Sequence, residues 1–120
     1  MEAIERATAH FGRLPVRAIE VPEWADAEGR PLVVYCTPAT LAERAKIARH
    51  AEEGRHATLA YTVIFKAKDA QGAPLFTIEH KHALMTRVDS DVLARLVTDM
   101  MTAPTLEDQE KNSPRTPSSS

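Results

Sequence analysis

A chain of 120 residues, 43% hydrophobic but only 5% aromatic, has the length for one domain with a core of Leu, Val, Ile, Ala and Met. Its 15 basic and 17 acidic side chains leave a formal net charge of -2, which argues against nucleic acid as the main partner and gives no support for an anionic membrane surface. The single cysteine, Cys36, excludes an internal disulfide and a cysteine-rich zinc site, and no apolar run approaches the roughly 20 residues of a membrane span.

The start, Met-Glu-Ala-Ile-Glu-Arg, lacks the basic opening and apolar block of a signal peptide, so a soluble cytosolic protein is expected. Ile4, Ala7 and Phe11 recur at helical spacing, and Gly12 is placed to end that short helix. A period of two through Arg17, Ile19 and Val21 predicts a strand, closed by Pro22, which cannot donate to a ladder. A polar stretch with turn residues Asp26, Gly29 and Pro31 leads to Leu32-Val33-Val34-Tyr35-Cys36, a second strand. The two strands are expected to form a β-hairpin with a long loop.

Two starts are open for the next helix. Thr37-Pro38 offers an N-cap with proline at the first position, and Thr40-x-x-Glu43 a capping box. Leu41, Ala45 and Ala48 would form its inner face, with Glu43, Arg44, Lys46 and Arg49 opposite, and Gly54 would stop it near Glu53. Residues 56–68 fit two periods. Leu59/Val63, Ala60/Ile64 and Tyr61/Phe65 are four apart, as in a helix, yet Leu59, Tyr61, Val63 and Phe65 alternate, and their residue types favour strands. Asp69 to Pro74 reads as a turn centred on Gly72, followed by the apolar pair Leu75-Phe76.

Thr77 is expected to cap a helix through about Arg87 with Leu84 and Met85 buried. Asp89 should cap another from Ser90 to about Thr102, with an apolar stripe of Val92, Leu93, Leu96, Val97, Met100 and Met101. Pro104 breaks it, and Thr105 can cap a last short helix with Glu107 and Asp108 in its first turn. The expected fold class is α+β: an N-terminal β-hairpin followed by a mainly helical domain of three to four helices. Residues 1–112 form one unit, and residues 113–120 a Ser/Pro tail with nothing to bury, expected to be disordered.

No active site stands out, so catalytic residues, cofactors and metals are all expected to be absent. His80 and His82 are two apart and diverge on a helix, His50 and His56 straddle a Gly-containing turn, and no His-x-x-x-His pair occurs. Cys36 ends an apolar strand, where a small buried residue is the usual occupant. Asp69 and Asp89 sit where turn and cap chemistry already explain an aspartate. Asp69 with Gly72 lacks the further oxygen ligands and late glutamate of a calcium loop, and the four glycines form no phosphate cradle. Two features remain for protein binding. Leu93, Leu96, Val97, Met100 and Met101 are either core or a face for an amphipathic partner helix, and adjacent methionines suit adaptable surfaces. Trp24 either locks the hairpin to the helices or acts as a contact anchor.

In order and spacing, several weak pieces resemble the tail assembly chaperones of long-tailed bacteriophages and prophages. They are Pro22-Glu23-Trp24, Val33-Val34-Tyr35, Leu41-x-Glu43-Arg44, Asp69-x-x-Gly72-x-x-Leu75-Phe76, the helix from Leu93 to Met101, and Glu107-Asp108-x-Glu110-Lys111-Asn112. The likeness spans roughly residues 16–112 and turns the ambiguous segment 56–68 toward helix. It implies a non-enzymatic factor of the host bacterial cytoplasm, absent from the mature virion. Such a factor binds the tape measure protein, keeps it soluble while the tail tube polymerises, can meet the major tail protein, and works as a homo-oligomer. The resemblance implies neither nucleic-acid nor membrane binding. The alternative from another class is a small prophage-associated nucleic-acid-binding regulator, whose binding would weaken steeply with salt. A third, an enzyme with a histidine acid-base group, needs a buried or paired histidine.

Overall fold

The computed structural model describes residues 2–102. The expected final helix from Thr105 and the Ser/Pro tail lie outside the described residues. Helix α1 (Ala3–Arg13) comes first, then the strands β1 (Arg17–Val21) and β2 (Leu32–Cys36). Four helices follow: α2 (Leu41–Ala48), α3 (Arg55–Lys66), α4 (Lys81–Thr86) and α5 (Ser90–Met101). The α+β class and the N-terminal hairpin are as the sequence predicts.

Helix α1 runs through Gly12 rather than ending there. Its stop is Pro15, which disfavours helical geometry at the preceding residue, and Leu14 is extended at φ -70 and ψ 140. None of its residues is buried. Strands β1 and β2 pair antiparallel from Arg17↔Cys36 to Val21↔Leu32. Along β1 the alternation places Arg17, Ile19 and Val21 inward and Ala18 and Glu20 outward. The connecting loop opens with a 3₁₀ turn, Pro22–Trp24, and is shaped by Asp26, whose carboxylate accepts from the amides of Glu28 (2.9 Å) and Arg30 (3.0 Å). The outer edge of β2 receives a short addition the sequence did not announce. Tyr35 exchanges both backbone hydrogen bonds with Lys68, each 2.9 Å, and Lys68 in turn bridges to Pro74. The intervening turn is built as expected, with the Asp69 carboxylate accepting from Gln71 and Ala73 and Gly72 at φ 85.

Of the two possible starts of α2, the capping box wins. The Glu43 amide donates to Thr40 Oγ1 at 3.1 Å, and the Thr40 amide donates to Glu43 Oε1 at 3.0 Å. This choice corrects the expected inner face. Thr40, Glu43, Ile47 and His50 are the positions turned inward, whereas Ala45 and Ala48 are exposed and Leu41 is 87% exposed. The α-helix ends at Ala48, and a 3₁₀ turn over Ala51–Glu53 leads to Gly54 at φ 105 and ψ 162.

Segment 56–68 is the helix α3, and it is the centre of the molecule. It packs on α2, α4 and α5, and buries Ala57, Ala60, Tyr61, Thr62, Val63, Ile64 and Lys66. A helix covered on nearly all sides carries apolar residues all round, which is why its residues fitted both periods. Helix α4 is shorter than the expected Thr77–Arg87 span, because Ile78–His80 form a 3₁₀ turn before it. Leu84 is buried as expected, but Met85 is exposed, since a six-residue helix presents only one face to α3. Asp89 caps α5, accepting from the amides of Asp91 (2.8 Å) and Val92 (3.3 Å). The core joins Val21, Val34 and Cys36 of the hairpin to α3, Leu84 and the inner face of α5. Among the described residues no helix is long and apolar enough to cross a membrane.

Candidate functional site: a groove between α2, α3 and the end of α5

The apolar stripe of α5 is used inside the chain. Val92, Leu93, Leu96, Val97 and Met100 are all buried in the core cluster, with Leu96 only 1% exposed. Four of the expected partner-binding residues, Leu93, Leu96, Val97 and Met100, therefore have no surface to offer in the folded monomer. The reason is the central position of α3, which needs α5 as its cover. Only Met101 and Trp24 remain partly accessible. Trp24 stands edge-on to Phe76 with ring centroids 6.2 Å apart, and Arg95 of α5 donates to Glu23 at 2.6 Å beside it. Those contacts fasten the hairpin loop to the segment before α4 and to α5, the structural role open to Trp24.

Met101 leads to a different surface. A hollow of about 310 Å³ opens between α2, α3 and the last turn of α5. Its floor is Ile47 and Thr62, its α2 side is Arg44, Ala48 and Ala51, and Thr58 and Met101 close the remaining sides. The lining is mainly apolar, and the small side chains of Ala48 and Ala51 leave room above Ile47 and Thr62. Ala48 belongs also to the outward row Leu41–Ala45–Ala48, so the apolar surface continues from the hollow along α2. Thr62 adds no free hydroxyl, since its Oγ1 donates to the Thr58 carbonyl at 2.8 Å. Two guanidinium groups finish the end of α5: Arg44 donates to the Met101 carbonyl (3.5 Å) and Arg17 to the Thr102 carbonyl (2.7 Å). Cations at a helix C-terminus satisfy its open carbonyls and oppose its dipole.

Beneath the capping box of α2 lies Lys66, whose side chain is 1% exposed. Its ammonium donates to Glu43 Oε1 at 3.0 Å and to Thr37 Oγ1 at 3.2 Å. Burial alone would raise the Glu43 carboxyl, but the Thr40 amide and the Lys66 ammonium outweigh it and hold it below the ordinary carboxylate range. This pair fixes where α2 sits on α3, and so fixes the groove. The pair joins residues 23 positions apart, so no local pattern announces it. The nearest signal is a lysine at the end of an apolar run, residues 59–65, that reads as buried on every side.

Among the described residues the histidines stand in separate surroundings. His50 stacks on Tyr61 with centroids 3.7 Å apart, and its Nδ1 lies 3.4 Å from Glu53 Oε2. Glu53 is also bound by Lys81 and accepts from the Tyr61 hydroxyl at 3.0 Å, and these bonds, that of Lys81 first, lower its pKa. Glu53, Tyr61 and Lys81 together tie the 3₁₀ turn to α3 and α4. His80 Nδ1 accepts from the Thr77 amide at 3.0 Å, while His56 and His82 are exposed. Among the described residues no three His, Cys, Asp or Glu side chains are placed to hold a metal ion. Cys36 is 1% exposed, and burial pushes its thiol pKa up, so it is a core residue and not a poised nucleophile.

No family model matches the chain, and no curated protein and no solved structure is significantly similar to it. The groove and its surroundings therefore carry the functional argument.

Proposed function

We propose that this protein is a phage or prophage tail assembly chaperone that acts without catalysis. It holds amphipathic helical segments of the tape measure protein in the groove between α2, α3 and Met101, in the host bacterial cytoplasm, while the tail tube assembles. The observation that carries the reading is the groove itself: apolar, open to one side, and extended by Leu41 and Ala45 along α2. Helix-in-groove recognition needs such a surface for side chains at i, i+3, i+4 and i+7 of a client. Met101 at the rim can adapt to a client whose repeats vary in shape. The order of sequence pieces that resembles tail assembly chaperones is the support for the tape measure protein as client.

The test is co-expression with the tape measure protein of the same gene neighbourhood, followed by solubility and co-purification. The chaperone keeps its client soluble and co-elutes with it, and Ala48→Arg with Met101→Glu abolishes this while leaving the melting temperature within a few degrees. A client that stays insoluble beside a well-folded partner refutes the reading. So does full capture by the groove variant. Binding to duplex DNA that collapses as salt rises would favour the nucleic-acid-binding regulator instead.

A further inference from the structure

The two-stranded sheet has one edge partly closed and one open. Tyr35 of β2 exchanges both of its backbone bonds with Lys68, so its N–H and C=O point away from β1. Tyr35 stands opposite Ala18, which makes Arg17↔Cys36, Ile19↔Val34 and Val21↔Leu32 the hydrogen-bonded pairs between the strands. The N–H and C=O of Ala18 and of Glu20 therefore point outward from β1, away from β2. Among the described residues no strand and no backbone segment pairs with that edge. Pro15 and Pro22 flank β1 and keep the open stretch short. It is also held firmly. Helix α5 packs on β1 and is fastened near both of its ends, by Arg17 to the Thr102 carbonyl at 2.7 Å and by Arg95 to Glu23 at 2.6 Å. An edge fixed in advance loses little freedom when a ligand pairs with it.

We infer that β1 takes an extended segment of a partner protein as a third strand, paired antiparallel, the more stable arrangement per residue. The edge also sets the chemistry of that segment. Ala18 and Glu20 each exchange backbone bonds with the residue opposite, and the side chains opposite them share the solvent face of the sheet. Glu20 is exposed on that face and, among the described residues, has no ion-pair partner. A lysine or arginine across from it completes an opposite-charge cross-strand pair. On the inner face Ile19 is only partly buried against the core, so an apolar side chain beside it extends its cover. Along the partner the pattern is apolar, basic, apolar, then any residue, facing Val21, Glu20, Ile19 and Ala18 in turn. This surface uses no residue that lines the groove, and it takes an extended segment where the groove takes a helix.

The probe is the peptide acetyl-Thr-Val-Lys-Val-Thr-Ser-amide, titrated into the full chain and followed by NMR amide shifts and hydrogen exchange. In the free protein the Ala18 and Glu20 amides exchange readily while those of Ile19 and Val21 are protected. The peptide shifts β1 and slows Ala18 and Glu20. N-methylation of its lysine and of the threonine after the second valine removes the two N–H groups aimed at β1 and weakens binding at least about tenfold. N-methylation of the two valines, whose N–H groups point away, changes it less than about threefold. Glu20→Lys weakens the lysine peptide about threefold, and a glutamate in place of its lysine restores the loss. Ala18→Pro removes an outward N–H without touching a bond to β2, and lowers affinity about tenfold. The methylated peptides keep the test open if that variant fails to fold. The absence of any β1 shift at about 1 mM peptide overturns the proposal. So does binding that ignores methylation of the lysine and threonine, which marks a charge contact and not a strand. Ala18 and Glu20 amides already protected in the free chain would mean that the edge is occupied by the chain itself or by another copy, and would overturn it too.

Discussion

Replacing Glu43 by alanine tests whether the position of α2 depends on the buried Lys66. Removing one partner of a buried pair costs about 3–5 kcal/mol, because the other charge is left without compensation. Here the Glu43 side chain is 38% exposed and Thr37 still accepts from Lys66, which sets the loss toward the lower end. The substitution also removes the carboxylate half of the capping box, worth about 1 kcal/mol. The sum is about 3–4 kcal/mol, read as a fall in melting temperature on the order of 15 °C for a domain of this size. Lys66→Met takes the buried charge away and leaves stability within about 1 kcal/mol of wild type. The double variant loses little beyond the cap, giving a coupling energy of about 2–3 kcal/mol in a double-mutant cycle by denaturant unfolding. The pH dependence follows from the same pair. Folding lowers the pKa of Glu43, so the unfolded chain binds more protons and stability rises with pH. The contribution is complete above the ordinary glutamate value of about 4.3 and is lost as pH falls through the folded value. In Lys66→Met that acid sensitivity shrinks. A loss below about 1 kcal/mol for Glu43→Ala, the cost of an exposed pair, would refute the argument. So would a double variant as unstable as the single.

Gly54 occupies φ 105 and ψ 162, a region closed to residues with a Cβ, and nothing lies within 4 Å of where that Cβ would go. Gly54→Ala should therefore lose about 1–3 kcal/mol by backbone strain alone, and calorimetry showing no loss would remove the argument. Leu96→Ala should cost about 2–5 kcal/mol in chemical denaturation, whereas Leu41→Ala should change stability by less than about 0.5 kcal/mol, separating core from surface. Cys36 should react with a thiol reagent only as fast as the native chain opens, so labelling at full speed in the folded protein would contradict its burial.

The hairpin, the caps at Thr40 and Asp89 and the turn at Asp69 were legible because each is written locally, in alternation or in a side chain that bonds a neighbouring amide. Leu41 and Met85 were misplaced for the opposite reason. Which face of a short helix turns inward is decided by what lies across from it, and for α2 that is Lys66, 23 residues away from Glu43. The stripe of α5 was read correctly as apolar, but its spacing is the same for a core and for a docking face. Only the position of α3 decides between them. The groove was hidden because its walls come from three helices, and its signal, small residues at Ala48 and Ala51, is weak in a sequence rich in alanine.

The bond from Arg17 to the Thr102 carbonyl, spanning 85 positions, has a consequence for how the chain is made. Helix α5 packs on β1, the first strand, so nearly the whole described sequence must leave the ribosome before the hairpin meets its cover. During that interval Val21, Val34 and the α5-facing side of α3 wait without their final neighbours. Long-range closure of this kind slows folding and prolongs the time apolar surface is open. Among the described residues the last helix to emerge is the one that shuts the core.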